Sequence, residues 1–289
     1  MLPGGARPIG APRVPRTLPG RAVDHLRRFE RARLRRVTVV DAGHGFDIFG
    51  MHPDWVAAGV WLTRFFHRRW FRVTAHGAEN LPPRGRAIVV ANHSGLLPFD
   101  AAMLYADVLA HTDPPRVAWP IADHFVPALP FVGTLFARLG MVNGTRANVA
   151  RLLEQEEMVM IFPEGTPGIG KPRSERYRLQ EWRVGHAELA LRHRAPVVPV
   201  AIIGAEEQWP VAARLDWLHP FGAPFLPIPA TPVPLPVHYH IHYGRPLSLH
   251  DGGGDPDDSE IIAAAAERVR AAVAALIAEG LRARRGVFA

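Results

Sequence analysis

The sequence predicts an α/β fold: a mostly parallel sheet flanked by helices, organised as a single domain. Two observations carry that expectation. Short apolar runs with the character of buried strands recur along the middle of the chain, at "RAIVV" (86–90), "EMVMIFP" (157–163) and "APVVPVAIIG" (195–204). Between them lie segments with helical periodicity, the alternation in which crossover helices cover both faces of a sheet. With 289 residues, 48% hydrophobic and 21% charged, the chain can build a substantial core.

Residues 1–22 are rich in Pro, Gly and Arg, lack the apolar stretch of a signal peptide and are expected to be a disordered tail. "DHLRRFERARLRR" (24–36) reads as a short basic helix and "DAGHGFDIFGMHPD" (41–54) as a turn-rich loop. A helix follows over 53–71, with Asp54 as the expected N-cap. Its Trp55, Trp61, Phe65, Phe66 and Trp70 mix with Arg64, Arg68 and Arg69. That mixture fits a helix lying in a membrane interface, and equally one packed on the core with a basic outer face. Residues 23–70 thus form an N-terminal helical segment with a candidate membrane contact. Strands are expected at 71–77, 86–90, 115–122, 157–163, 195–204 and 237–244, helices at 99–111, 148–155 and 179–194, and an apolar helix or loop-helix at 127–140. Residues 217–236 form a Pro-rich apolar loop. An acidic, Gly-rich loop then leads into a long C-terminal helix with Ser259 as its expected N-cap, so 251–289 form a closing segment.

The formal charge is +7. Lys171 is the only lysine; every other basic residue is Arg. A GC-rich genome produces such a bias, but Arg also offers a planar fork for phosphates. No nucleic-acid motif is present, so the basic balance points to an anionic membrane surface or a phosphorylated substrate, with no nucleic-acid partner. The absence of cysteine excludes disulfides, thiolate catalysis and Cys-based zinc sites. No run of 18 apolar residues occurs, so a peripheral position on the cytoplasmic face of a membrane is expected, without a spanning helix.

Chemistry concentrates at strand ends. "ANHSGLLPFD" (91–100) follows an apolar strand and carries a titratable His93 with Asp100 close behind. A His of near-neutral pKa can take a proton from an alcohol, and an Asp on its other ring nitrogen would fix the tautomer. The alternative is a loop histidine satisfied by backbone and an Asp that caps the next helix. "MVMIFPEGTPG" (158–168) displays Glu164, Gly165 and Thr166 at the C-terminal end of a strand, the edge where open α/β sheets bind ligands. An ordinary strand-to-loop turn would look the same. Arg146 lies in a Gly-containing loop before a helix, and Lys171, Arg173 and Arg176 gather after the Glu-Gly-Thr. Such a cluster holds a phosphate or forms a solvated charge run.

Taken in this order, the patterns resemble the glycerolipid acyltransferase superfamily, typified by 1-acylglycerol-3-phosphate acyltransferases. Four blocks carry the likeness: Asn92-His93 with Asp100, "LGMVNGTRANVARLL", the Phe162-Pro163-Glu164-Gly165-Thr166 run, and "APVVPVAIIG". The resemblance spans about 71–247 and implies an acyltransferase domain over 71–250. It implies that His93 acts as general base on an acceptor hydroxyl with Asp100 as its partner. It also implies that Asn92, Ser94, Arg146, Glu164, Gly165, Thr166, Lys171, Arg173 and Arg176 contact substrate. The co-substrate would be acyl-CoA or acyl-carrier protein, with no bound cofactor or metal. The acceptor would be a glycerolipid such as lysophosphatidic acid.

Two departures stand out. The family usually has four residues between His and Asp; here there are six, 94–99. On one continuous helix that separation is about 10 Å, too far for a hydrogen bond. Pro98 disfavours helix at Leu97, so a loop that returns Asp100 to His93 is expected, with the helix starting near Pro98. Longer loops resemble a branch that includes neutral-glyceride acyltransferases. Secondly, the family commonly has Arg after the Thr; here it is Pro167. A neutral glyceride or non-glycerol acceptor is therefore the alternative, and a non-catalytic lipid-binding protein on the same fold is another. His238, His240 and His242 alternate in "HYHIH" and are assigned to a polar strand face, with no metal.

Overall fold

The computed structural model describes residues 6–8, 36–95, 97–123, 125–169, 171–215, 217, 218, 225–253 and 255–289. The basic helix expected at 24–36 lies, save its last residue, outside them. So does most of the tail, of which Ala6–Pro8 (β1) pairs antiparallel with Thr38–Val40 (β2).

Seven strands form the central sheet: β3 (Thr74–His76), β4 (Ala87–Ala91), β5 (Ala118–Ala122), β6 (Val142–Asn143), β7 (Met158–Ile161), β8 (Val197–Ile203) and β11 (His240–Tyr243). Their spatial order is β3-β11-β8-β4-β7-β5-β6. From β8 to β6 every pairing is parallel. β11 runs antiparallel to β8 and parallel to β3, so the reversed direction is confined to one edge. Residues of β4 alternate between two cores: Ile88 and Val90 enter one, Ala87, Val89 and Ala91 the other. That is why these strands read as unbroken apolar runs: both faces are covered.

The helices are α1 (Pro53–Phe65), α2 (Phe99–His111), α3 (Val132–Arg138), α4 (Arg146–Glu154), α5 (Gly185–His193), α6 (Ala205–Gln208) and α7 (Ser259–Ala283). Val149 and Leu152 of α4, Ala187 and Ala190 of α5 and Val269 and Val273 of α7 fill the first core. Met103, Leu104 and Val108 of α2 fill the second. Each such side chain contributes about 1.5–3 kcal/mol of transfer free energy, less for Ala. Helix α1 ends in a wider turn, Phe71 N–H donating to the Phe66 carbonyl at 2.7 Å, and bridges the cores with Val60 on one side and Phe71 on the other. Among the described residues no helix is long and apolar enough to cross a membrane.

Several boundaries differ from expectation for identifiable reasons. The N-cap of α1 is His52, whose Nδ1 accepts from the Asp54 amide at 3.1 Å; Asp54 lies inside the helix. The N-cap of α7 is Asp258, one residue before Ser259. Its carboxylate accepts from the Glu260 amide at 2.8 Å and complements the helix dipole better than a hydroxyl. Helix α5 starts at Gly185, six residues later than expected, because upstream amides have other acceptors: Gln180 N–H donates to Glu164 and Arg183 N–H to the Pro163 carbonyl. Part of the expected Pro-rich loop forms a strand, β10 (Leu226–Pro229), paired antiparallel with β9 (Val211–Leu215). Pro is tolerated there because, among the described residues, the hairpin has two strands, each with a free edge.

The parallel arrangement has one decisive consequence. β4, β5, β7 and β8 all end on the same edge of the sheet. The residues that follow them, Asn92-His93, Asp123, Phe162-Pro163-Glu164 and Gly204-Ala205-Glu206, are therefore neighbours there.

Candidate active site

The turn after β4 is built to hold an imidazole. As the ladder ends, the Asn92 side chain replaces it: Oδ1 accepts from Ile202 N–H at 2.7 Å and Nδ2 donates to the Ile202 carbonyl at 3.0 Å. Asn92 is fully buried, and its amide thus clamps β4 to β8 in place of the substrate contact expected of it. The chain then bends through Gly95, whose φ of +100° suits only glycine and whose Cβ would come within 2.7 Å of Gln208 Nε2. Pro98 caps α2, which begins at Phe99. The bend returns Asp100 to His93, with Nδ1 and Oδ2 at 2.7 Å.

Asp100 is fully buried at the start of α2, where the helix dipole and unpaired amides favour an anion. Oδ1 accepts from Ala101 N–H at 2.8 Å and Oδ2 also accepts from Ser94 N–H at 2.8 Å. The carboxylate therefore accepts a hydrogen bond from Nδ1–H, keeping the proton on that nitrogen and leaving Nε2 as the basic one. Among the described residues Nε2 has no hydrogen-bond partner. Burial alone would lower the pKa of His93. The Asp100 charge and hydrogen bond, with Glu164 and Asp123 behind, outweigh it, and the pKa is raised above its ordinary value. The Phe162 ring lies 4.5 Å from the imidazole.

The turn after β7 packs directly on this one. Glu164 is buried, and its Oε1 accepts from His93 N–H at 3.1 Å. Gly165 has φ +55° and ψ −146°, a glycine conformation, and a Cβ there would meet the Arg183 guanidinium and an Asp123 carboxylate oxygen, each at 3.2 Å. Thr166 opens a 3₁₀ turn and is half-buried. Gly168 closes it so tightly that a Cβ would lie 2.8 Å from the His93 carbonyl oxygen.

The expected cations sit elsewhere or face inward. Lys171 is only 4% exposed and is enclosed by Glu164 and Glu206. Arg146 is the first residue of α4, not a loop residue, and joins Glu188 of α5 at 2.8 Å on the surface. Arg176 faces Glu207 at 3.7 Å, and Glu207 is also held by Arg284 at 2.7 Å. Arg173 opens the turn Arg173–Glu175. The Ser94 hydroxyl is buried with no hydrogen-bond partner among the described residues, while its amide serves Asp100. Asp123 and Arg183, an ion pair against Gly165, were not expected. Asp123 directly follows a strand on the His93 edge, which was a legible signal; Arg183 is far from every motif.

The acyltransferase family model matches residues 72–203, the segment that contains both the His93 turn and the Pro-Glu-Gly-Thr turn packed on it. The chain belongs to the acyltransferase family. It is 38% identical over 259 residues to a protein of unassigned function from Mycobacterium tuberculosis, covering 85% of this chain and 72% of that one. It is 28% identical over 215 residues to a Bos taurus protein named DGAT1/2-independent enzyme synthesizing storage lipids, covering 72% of this chain and 60% of that one. In fold it is similar to the crystal structure of the 1-acyl-sn-glycerophosphate (LPA) acyltransferase PlsC from Thermotoga maritima. The TM-score is 0.52 at 20% identity, over 81% of this chain and 83% of that one. This acyltransferase is thus a single α/β domain.

Proposed function

We propose that the enzyme transfers a fatty acyl group from an acyl thioester, acyl-CoA or acyl-carrier protein, to a hydroxyl of a glycerolipid such as lysophosphatidic acid. The observation that carries this is the 2.7 Å bond between His93 Nδ1 and Asp100, with Nε2 left unpaired among the described residues. The acceptor O–H donates to Nε2. As its oxygen attacks the thioester carbonyl carbon, the proton passes to Nε2 and Asp100 stabilises the imidazolium. The tetrahedral intermediate then collapses, the C–S bond breaks, and the leaving thiolate takes the proton from His93. No acyl-enzyme is needed, in keeping with a chain that has no cysteine.

One set of observations favours a second acceptor class, a neutral glyceride. Lys171 faces buried acids, Arg146 and Arg176 face Glu188 and Glu207, and Pro167 follows Thr166. The Bos taurus relative carries a storage-lipid name. Purified protein given oleoyl-CoA and a panel containing lysophosphatidic acid and monoacylglycerol distinguishes the two, with products identified by mass spectrometry. A single acylated acceptor names the class. No thioester turnover with any CoA or carrier-protein donor contradicts the proposal.

A lipid surface is the place we propose for this reaction. Trp55, Leu62 and Phe65 stand exposed along α1, followed by exposed Arg68 and Arg69. Helix α3, tied to α1 by His52 N–H to the Arg138 carbonyl, exposes Phe131, Val132 and Leu135. Apolar side chains beside Arg suit an anionic interface. Flotation with phosphatidylglycerol vesicles, reduced in Leu62→Glu/Phe65→Glu, tests it; equal binding by both proteins contradicts it.

A further inference from the structure

We propose that Lys171 is a positioning residue that fixes the main chain of His93, acting through Glu164 and Glu206, and that it does not bind substrate. The inference rests on the reading of His93 as base and names the framework behind it.

The geometry around the ammonium is complete. Nζ lies 2.9 Å from Glu206 Oε1, 3.3 Å from Glu164 Oε2 and 3.2 Å from the Arg178 carbonyl, one acceptor for each of its three N–H groups. The carboxylates are also fully engaged. Glu164 accepts from His93 N–H at 3.1 Å and Gln180 N–H at 2.9 Å, and Glu206 from Tyr177 N–H at 2.7 Å. All three side chains are nearly or wholly buried. One ammonium therefore joins the turns after β7 and β8 to the 171–180 loop and, through Glu164, to the amide of the base. Consecutive amides of the catalytic turn are held by two acids: His93 N–H by Glu164, Ser94 N–H by Asp100.

Two buried carboxylates sharing one site do not both stay ionised without a cation between them. Burial already pushes the Glu206 pKa up, and Lys171 opposes that. With Lys171 removed, Glu206 takes a proton and the tether between the turns after β7 and β8 is lost. Glu164 is then no longer held in place, so the His93 amide loses a fixed acceptor, and a Glu164 displaced from the imidazole contributes less of the negative field that raises the His93 pKa. The residue type follows from the same geometry. Three acceptors surround a single nitrogen, which an ammonium satisfies and a planar guanidinium, with donors spread over three nitrogens, does not. In a chain whose other basic residues are all Arg, the single Lys occupies the position that demands an ammonium.

The test compares Lys171→Met, Lys171→Arg and Lys171→Met/Glu206→Gln with wild type. A displaced base predicts that kcat falls about 30- to 100-fold in both single variants, with the acceptor KM within about threefold. The acid limb of the kcat profile should move to lower pH. The neutral amide introduced by Glu206→Gln can donate to Glu164 and restore the tether that holds it, so the double variant should recover at least about threefold of the lost kcat. Unchanged kcat and pH limb in folded Lys171→Met overturn the proposal. So does a rise confined to the KM of a phosphate-bearing acceptor, which would make Lys171 a substrate cation. Wild-type protein labelled with ¹⁵N-lysine gives one side-chain signal and needs neither a stable variant nor any turnover. That signal should be protected from solvent exchange and unmoved by millimolar sn-glycerol 3-phosphate; fast exchange or a shift overturns the proposal even if the acyl-transfer reading stands, and protection upholds the buried ammonium even if that reading fails.

Discussion

Two groups of histidines on this sheet have opposite fates. His93, beyond β4, faces a buried carboxylate and binds its proton more tightly than an ordinary histidine. On the β3–β11 edge, His76, His238, His240 and His242 face one another, with ring centroids 4.3 Å apart for His76 and His242 and 4.2 Å for His238 and His240. There burial, then the neighbouring imidazoles, push His240 and His242 down to about 4; Glu279 opposes this at His242 and Arg284 reinforces it at His240. Both places bury imidazoles. Only the first sets a buried carboxylate in direct hydrogen bond to the ring, and that carboxylate, not the histidine alone, makes a base.

The largest effect that could break this contrast is at His93. His93→Ala should lower acyl transfer about 10²–10⁴-fold, the usual contribution of a positioned base, while His240→Asn/His242→Asn should leave kcat at pH 8 within about twofold. Comparable losses in both would erase the distinction. Next is Gly168→Ala, whose Cβ would press on the His93 carbonyl at 2.8 Å. Expected are a kcat about 10- to 100-fold lower and about 1–3 kcal/mol of lost stability. Kinetics and thermal unfolding check it, and an unaltered kcat would show that the turn can shift freely.

The imidazole edge gives a smaller, purely thermodynamic effect. Folded His240 and His242 resist protonation, so between the unfolded value near 6.5 and about 4 the unfolded chain binds more protons. Stability contributed by these groups is present above pH 6.5 and declines as pH falls through that window. The loss should be about 1–3 kcal/mol after allowing for solvent around half-buried His240. Urea unfolding at pH 7 and 4.5 measures it; an equal acid loss in His240→Asn/His242→Asn would assign it to other groups. Smallest is Arg146→Ala. Its partner is Glu188 and its side chain is 78% exposed, so about 0–1 kcal/mol is expected, with monoacylglycerol acylation unchanged. A selective loss with lysophosphatidic acid would instead favour the phosphate acceptor.

What could be read from the sequence depended on how local its cause was. β4, β7 and β8 were legible because burial on both faces leaves an apolar run, and the return of Asp100 to His93 because Pro98 forbids a continuous helix there. The start of α5 was not, since the acceptors that hold Gln180 and Arg183 lie in a turn many residues earlier. Nor was the hairpin of β9 and β10, whose prolines suggest a loop until a partner strand is present. The cations illustrate the same limit. Lys171 reads as part of a basic cluster until Glu206, 35 residues on, is found beside it.

The most direct measurement is the pH dependence of kcat in wild type and Asp100→Asn. An Asp100-oriented base predicts an acid limb above the ordinary histidine value of about 6.5 in wild type. In Asp100→Asn the limb should move to lower pH, with the plateau reduced at least about 100-fold. A wild-type limb unmoved by the substitution, or a plateau within threefold of wild type, would contradict the pairing of His93 with Asp100 as the source of the chemistry.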